Sequence, residues 1–122
     1  MSKAKHILIL HCDQLRADCL GYAGNPDVHT PHIDTLAKEG TVYPEHYTVY
    51  PICTPSRYSL WSGMYVHQHG AWTNRATLPA GYQTFPQILR ENGYDTAAVG
   101  KMHFTPTYHD VGFRRMRLAE QN

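Results

Sequence analysis

Cys53-Thr54-Pro55-Ser56-Arg57-Tyr58-Ser59-Leu60-Trp61-Ser62-Gly63 sets a thiol just ahead of a proline, where a helix is expected to begin. Pro55 suits a first helical turn, because the amide hydrogen it lacks would have no acceptor inside the helix. The spacing predicts that amides around Ser56 and Arg57 stay free to face an anion, with Cys53 at the positive end of the helix. Arg57, one turn on, adds a permanent charge whose forked geometry suits a tetrahedral oxyanion. Taken alone, these residues describe a cysteine placed for anion chemistry. The same stretch also fits a small buried thiol with no chemical role.

Outward from this stretch, short strand signals alternate with helical ones. Ile7 to Leu10 is a continuous apolar run with β-branched residues, the pattern of a buried strand, and it leads into His11, Cys12, Asp13 and Gln14. Asp13 and Gln14 would then lie at a strand's carboxyl end, where open α/β sheets gather their ligands. Their two oxygens suit a hard divalent cation; local capping of amides is the alternative reading of Asp13. Gly21 to His29 reads as loop, Thr30 as the cap of a helix from Pro31 to Gly40, and Thr41 to Tyr47 as a short strand. Beyond the Cys53 helix come a polar, aromatic loop from Tyr65 to Pro79, a helix around Phe85 to Glu91 stopped by Asn92 and Gly93, and a buried strand from Thr96 to Val99. The run from Arg114 to Asn122 shows no partner element. The alternation favours a parallel or mixed sheet covered by helices.

A second chemical stretch ends that last strand: Gly93-Tyr94-Asp95-Thr96-Ala97-Ala98-Val99-Gly100-Lys101-Met102-His103. Lys101 is a compact positive charge that can hold oxyanions, and His103 can share a proton near neutral pH.

The C-x-P-S-R pattern with Ser62 and Gly63 resembles the first signature of the type I sulfatases, of the alkaline-phosphatase-like superfamily. The G-Y-x-T strand ending in G-K-x-H resembles their second signature. The resemblance extends over nearly the whole chain. It implies an α/β fold with a mixed, mostly parallel sheet flanked by helices, of which residues 1–122 would be the N-terminal part of the catalytic domain. It implies hydrolysis of a small-molecule or saccharide sulfate ester, with Cys53 oxidised by a maturation enzyme to formylglycine. The hydrate of that aldehyde attacks sulfur, and its second hydroxyl then expels sulfate. Arg57, Lys101 and His103 are the implied catalytic partners. Asp13, Gln14 and the modified residue 53 are the implied holders of a divalent cation, calcium first, with magnesium or manganese as alternatives. Gln14 departs from the usual aspartate and matches branches resembling choline sulfatases and phosphonate hydrolases. The later half of such enzymes supplies further metal ligands and leaving-group residues, so little or no turnover is expected from this chain alone.

Composition limits the alternatives. With 122 residues, 42% hydrophobic content, and 11 basic against 10 acidic side chains, the chain reads as globular, without the charge imbalance expected for nucleic acid or an anionic membrane surface. The three cysteines, Cys12, Cys19 and Cys53, form no CxxC pair, so thiols are expected to stay reduced, with Cys12 and Cys19 packed inside. Ile7 to Leu10 is too short for a signal-peptide core or a membrane span, which makes a cytoplasmic chain the expectation if Met1 is the true start. Two rival readings remain: a phosphonate or phosphate ester hydrolase of the same superfamily, and a non-catalytic Cys/His metal module. The scatter of the nine histidines disfavours the second. His67, His69, Trp72 and Asn74 are candidates for a pocket wall, and Tyr108, His109 and Phe113 carry no assigned role.

Overall fold

The computed structural model describes residues 6–119, which divide into two compact units, one ending at His46 and the other beginning at Tyr47. Among the described residues no helix is long and apolar enough to cross a membrane.

The first unit is built around one helix, α1 (Pro31–Glu39). Pro31 sits in its first turn as the sequence predicts. Thr30 precedes it without making a side-chain cap. Its hydroxyl accepts from the Gly21 amide at 2.8 Å and donates to Asp34 Oδ1 at 2.9 Å. The same carboxylate oxygen accepts from the Tyr22 amide, so α1 is tied to a 3-10 turn at Gly21–Ala23. No residue of α1 is buried. The apolar stripe of Ile33, Leu36 and Ala37 lines an open groove with Tyr22, Val42 and Tyr43.

Two strands expected in this unit are not formed. Ile7 to Leu10 joins no strand among the described residues and is exposed, Leu8 at 82%, and Thr41 to Tyr47 is irregular. The reason for the first is that a strand apolar on both faces is stable only between paired neighbours, and the described residues of this unit form no other strand. Cys12, expected inside, is exposed; Cys19 is half-buried.

The second unit carries a core. Helix α2 (Cys53–Ser62) buries Thr54, Pro55, Arg57, Tyr58, Ser59 and Trp61, and ends at Gly63 in the left-handed conformation. Helix α3 (Val66–His69) lies inside the segment read as loop. Helix α4 (Phe85–Glu91) starts with a reciprocal cap: the Thr84 amide donates to Gln87 Oε1 and the Gln87 amide to Thr84 Oγ1. It stops at Asn92 and Gly93 as predicted.

Strand β1 (Ala97–Gly100) pairs in parallel with β2 (Arg115–Leu118), Ala97 opposite Arg115 and Gly100 opposite Leu118. The expected strand is thus present, shifted by one residue, but it is not buried throughout: Ala98 is inside while Val99 is 75% exposed. The C-terminal run, expected to lack a partner, supplies β2 from within Arg114 to Ala119, while residues 120–122 lie outside the described residues. Arg115-Met116-Arg117-Leu118 alternates polar and apolar side chains, the period of a strand.

Tyr58, Trp61, Ala71, Leu78, Phe104 and Val111 form the core cluster. Tyr58 stacks on Phe104 with ring centres 5.5 Å apart, and Trp61 meets Phe113 edge-on at 5.4 Å. Phe113 is therefore a packing residue. Gly112, buried with φ +104, is a position no other residue fills: a Cβ there would lie 2.2 Å from the Gln87 amide nitrogen.

Candidate active site

Four of the six predicted site residues come together in the second unit. Cys53 is the first residue of α2 and is half-buried. Lys101 immediately follows β1, after Gly100 turns the chain with φ +100, and its Nζ approaches Cys53 Sγ to 3.8 Å. Arg57, one turn along α2, is 4% exposed and donates from Nη1 to the Lys101 carbonyl at 2.7 Å. His103 is two residues beyond Lys101 in a left-handed backbone, φ +54, and its carbonyl accepts from Thr54 Oγ1 at 2.6 Å. Such a backbone is uncommon outside glycine and persists where surrounding contacts impose it.

The local order of bonds explains the convergence. Thr54, Arg57 and Tyr58 are spaced i, i+3 and i+4, hence on one face of α2. Each holds a different link of the segment leaving β1: Thr54 the His103 carbonyl, Arg57 the Lys101 carbonyl, and the Tyr58 hydroxyl the Thr105 amide at 3.3 Å. Burial raises the Tyr58 phenol above its ordinary value, so it stays a neutral donor and acceptor. Asn74 completes the arrangement. Its Oδ1 accepts from the Thr54 amide at 3.0 Å, and its carbonyl accepts from Thr105 Oγ1 at 3.2 Å.

The expectation of free amides around Ser56 and Arg57 does not hold for Ser56. The helix starts at Cys53, two residues before Pro55, so Ser56 is already deep enough to donate to the Ile52 carbonyl, at 3.0 Å. The Thr54 amide is taken by Asn74. Positive charge at the start of α2 therefore comes from Arg57, Lys101 and the helix dipole rather than from a row of open amides.

The pocket-wall candidates separate. His69 is 1% exposed; Ala71 donates its amide to Nδ1, which leaves the proton on Nε2 facing Ser59 Oγ at 2.9 Å. Burial lowers its pKa from the ordinary 6.5, so the ring is a neutral structural link between α2 and α3. His67 is exposed and stacks on Tyr65, Trp72 is half-exposed against Tyr50, and Tyr108 is exposed. His109 meets Tyr58 edge-on. Sequence reading missed Thr54, Tyr58 and Thr105 and left Asn74 among the wall residues. The helical spacing of Thr54 to Tyr58 was visible, but its partners lie twenty to forty-nine residues away.

Asp13 and Gln14 belong to the first unit, at an exposed bend where Gln14 has φ +55. Their oxygens are the donor type a hard divalent cation takes, yet such a cation takes about six to eight. Among the described residues no group of three or more His, Cys, Asp or Glu side chains is gathered to hold a metal.

The chain is similar to known proteins over most of its length. The chain is 39% identical over 123 residues to an ulvan-active sulfatase of Formosa agariphila, covering 94% of this chain and 24% of the relative. It is 34% identical over 113 residues to arylsulfatase K of Gallus gallus, covering 93% of this chain and 21% of that protein. Among solved structures, the phosphonate monoester hydrolase of Agrobacterium radiobacter matches with a TM-score of 0.79 at 30% identity, over 89% of this chain and 25% of that one. The chain thus spans about a quarter or less of the relatives it matches, within a shared alkaline-phosphatase-like fold. With a family model described as Sulfatase matching residues 5–119, the chain belongs to the sulfatase family.

Proposed function

We propose that this chain carries the nucleophile-bearing part of a sulfuric ester hydrolase that cleaves sulfate monoesters with formylglycine made from Cys53. The observation that carries the reading is the approach of Lys101 Nζ to Cys53 Sγ at the start of α2, with Arg57 tied to the Lys101 backbone. As formylglycine hydrate, residue 53 would supply an oxygen nucleophile and a second hydroxyl for release, chemistry that a plain serine or cysteine lacks. Lys101 and Arg57 neutralise a tetrahedral oxyanion brought to the helix start, and their preorganised charge lowers the barrier. His103 holds or moves a proton at the residue 53 hydroxyls. Asp13 and Gln14 would contribute oxygen ligands to a divalent cation, calcium first, which would polarise the sulfate. Two donors do not complete such a site, so this chain alone is expected to give no turnover.

Substrate and activating partner follow from the same reading: a sulfated saccharide or small molecule, and a maturation enzyme that oxidises Cys53. Co-expression of the chain with a formylglycine-generating oxidase and intact-mass analysis of the peptide holding residue 53 tests it. The expected result is an aldehyde; an unconverted thiol in a full-length enzyme that hydrolyses sulfate esters at full rate overturns it.

A phosphonate or phosphate ester hydrolase is the second reading, favoured by Gln14 and by the fold match to the phosphonate monoester hydrolase. Parallel assays of a full-length protein containing this chain on aryl sulfates and aryl phosphonates separate the two.

A further inference from the structure

We infer that Thr54 is a positioning residue: its hydroxyl, through the His103 carbonyl, sets where Lys101 and His103 stand relative to residue 53. The functional weight of the inference rests on the proposed role of residue 53, but its geometry does not. Thr54 is fully buried at the second position of α2 and is held at both ends of its residue. Its amide is fixed on Asn74 Oδ1 at 3.0 Å, and its hydroxyl donates to the His103 carbonyl at 2.6 Å. Because Thr54 adjoins Cys53, the bond to His103 ties the nucleophile position directly to the segment that bears Lys101 and His103. That segment leaves β1 at Gly100 and crosses to β2 without a helix of its own, so its course depends on such side-chain anchors. His103 is the link where the backbone is unfavourable, with φ +54, and it is the link Thr54 grips. Arg57 holds Lys101 and Tyr58 holds Thr105 on either side, but neither of these bonds fixes the peptide after His103. A threonine rather than a serine suits the place, since its methyl fills buried space while its hydroxyl makes the bond.

The test uses the 122-residue chain with Cys12→Ser and Cys19→Ser, so that Cys53 is the one thiol. Alkylation rates with anionic iodoacetate and neutral iodoacetamide are compared as a ratio, which reports the positive charge near Cys53 independently of general accessibility. Lys101→Met calibrates that ratio. Thr54→Val, nearly the same shape without the donor, is expected to lower it by about threefold, and Thr54→Ser to keep it within about twofold of the parent. In parallel, His103 Cα and Cβ chemical shifts are expected to leave the left-handed range in Thr54→Val and to stay in it in Thr54→Ser. A residue that merely stabilises would lower the melting temperature and leave both ratio and shifts unchanged, which overturns the inference. Where Thr54→Val does not fold, two results on folded protein decide instead. The Thr54 hydroxyl proton of the parent must be slowed in its exchange with water, and Thr54→Ser must retain the ratio; failure of either overturns the inference. None of these readouts needs sulfate turnover or oxidation of Cys53, so a failure here is distinct from a failure of the proposed function.

Discussion

The two units differ in what holds them together. The second, from Tyr47 on, surrounds α2 with a continuous cluster of Tyr58, Trp61, Ala71, Leu78, Phe104 and Val111. The first closes on polar bonds around Asp34 and Thr30, buries no residue of its helix, and leaves Leu36 61% exposed and Ile7 to Leu10 largely in solvent. Hydrophobic burial is the main stabilising term for a domain, so the second unit has its own source of stability and the first has little. The nucleophile candidate and its three cationic or proton-bearing partners lie in the unit with the core. The two oxygen donors lie in the unit without one.

That contrast can be broken most sharply at Trp61. Trp61→Ala removes a ring packed on both Phe85 and Phe113 and is expected to destabilise by about 3–5 kcal/mol, read as a lowered urea midpoint. Next, Gly112→Ala, which forces a Cβ against the Gln87 backbone at positive φ, is expected to cost about 2–3 kcal/mol in the same measurement and to loosen α4. Survival of either variant at the parent midpoint would mean that the core of the second unit is not what holds it.

A pH test sharpens the contrast further. His69 is buried neutral and its pKa is lowered by that burial, so the unfolded chain binds its proton first. Its contribution is complete above the ordinary histidine value of 6.5 and is lost as pH falls through the lowered folded value. Protonation also destroys the acceptor used by the Ala71 amide. The midpoint of the second unit is therefore expected to fall between about pH 7.5 and about pH 5, and His69→Gln to flatten that part of the fall. The smallest effect belongs to the first unit: Leu36→Ala, on an exposed stripe, is expected to change stability by no more than about 0.5 kcal/mol. Hydrogen exchange gives the complementary reading, with protected amides in α2 and α4 and fast exchange in α1.

Much of the second unit was legible because its signals are local. Pro55 with the Cys53 start, and the Asn92 and Gly93 stop, concern residues within a few positions of one another, and both marked helices that form. Lys101 and His103 were singled out as candidates because they follow a strand signal in a recognisable motif. The run Ile7 to Leu10 carries the same apolar pattern as a buried strand, yet a strand is completed by hydrogen bonds to another segment, which local pattern does not contain. For the same reason β2 was overlooked although its alternation was in plain view.

By itself the order of residues determined which groups could do the chemistry and where three of the helices run, because rotamer, cap and proline effects act within one or two turns. Only the tertiary structure decided how Thr54 meets His103, how Arg57 meets the Lys101 carbonyl, and which strand β1 joins. Those bonds link positions about twenty to fifty apart, and they form where buried polar groups must find partners after the chain has packed.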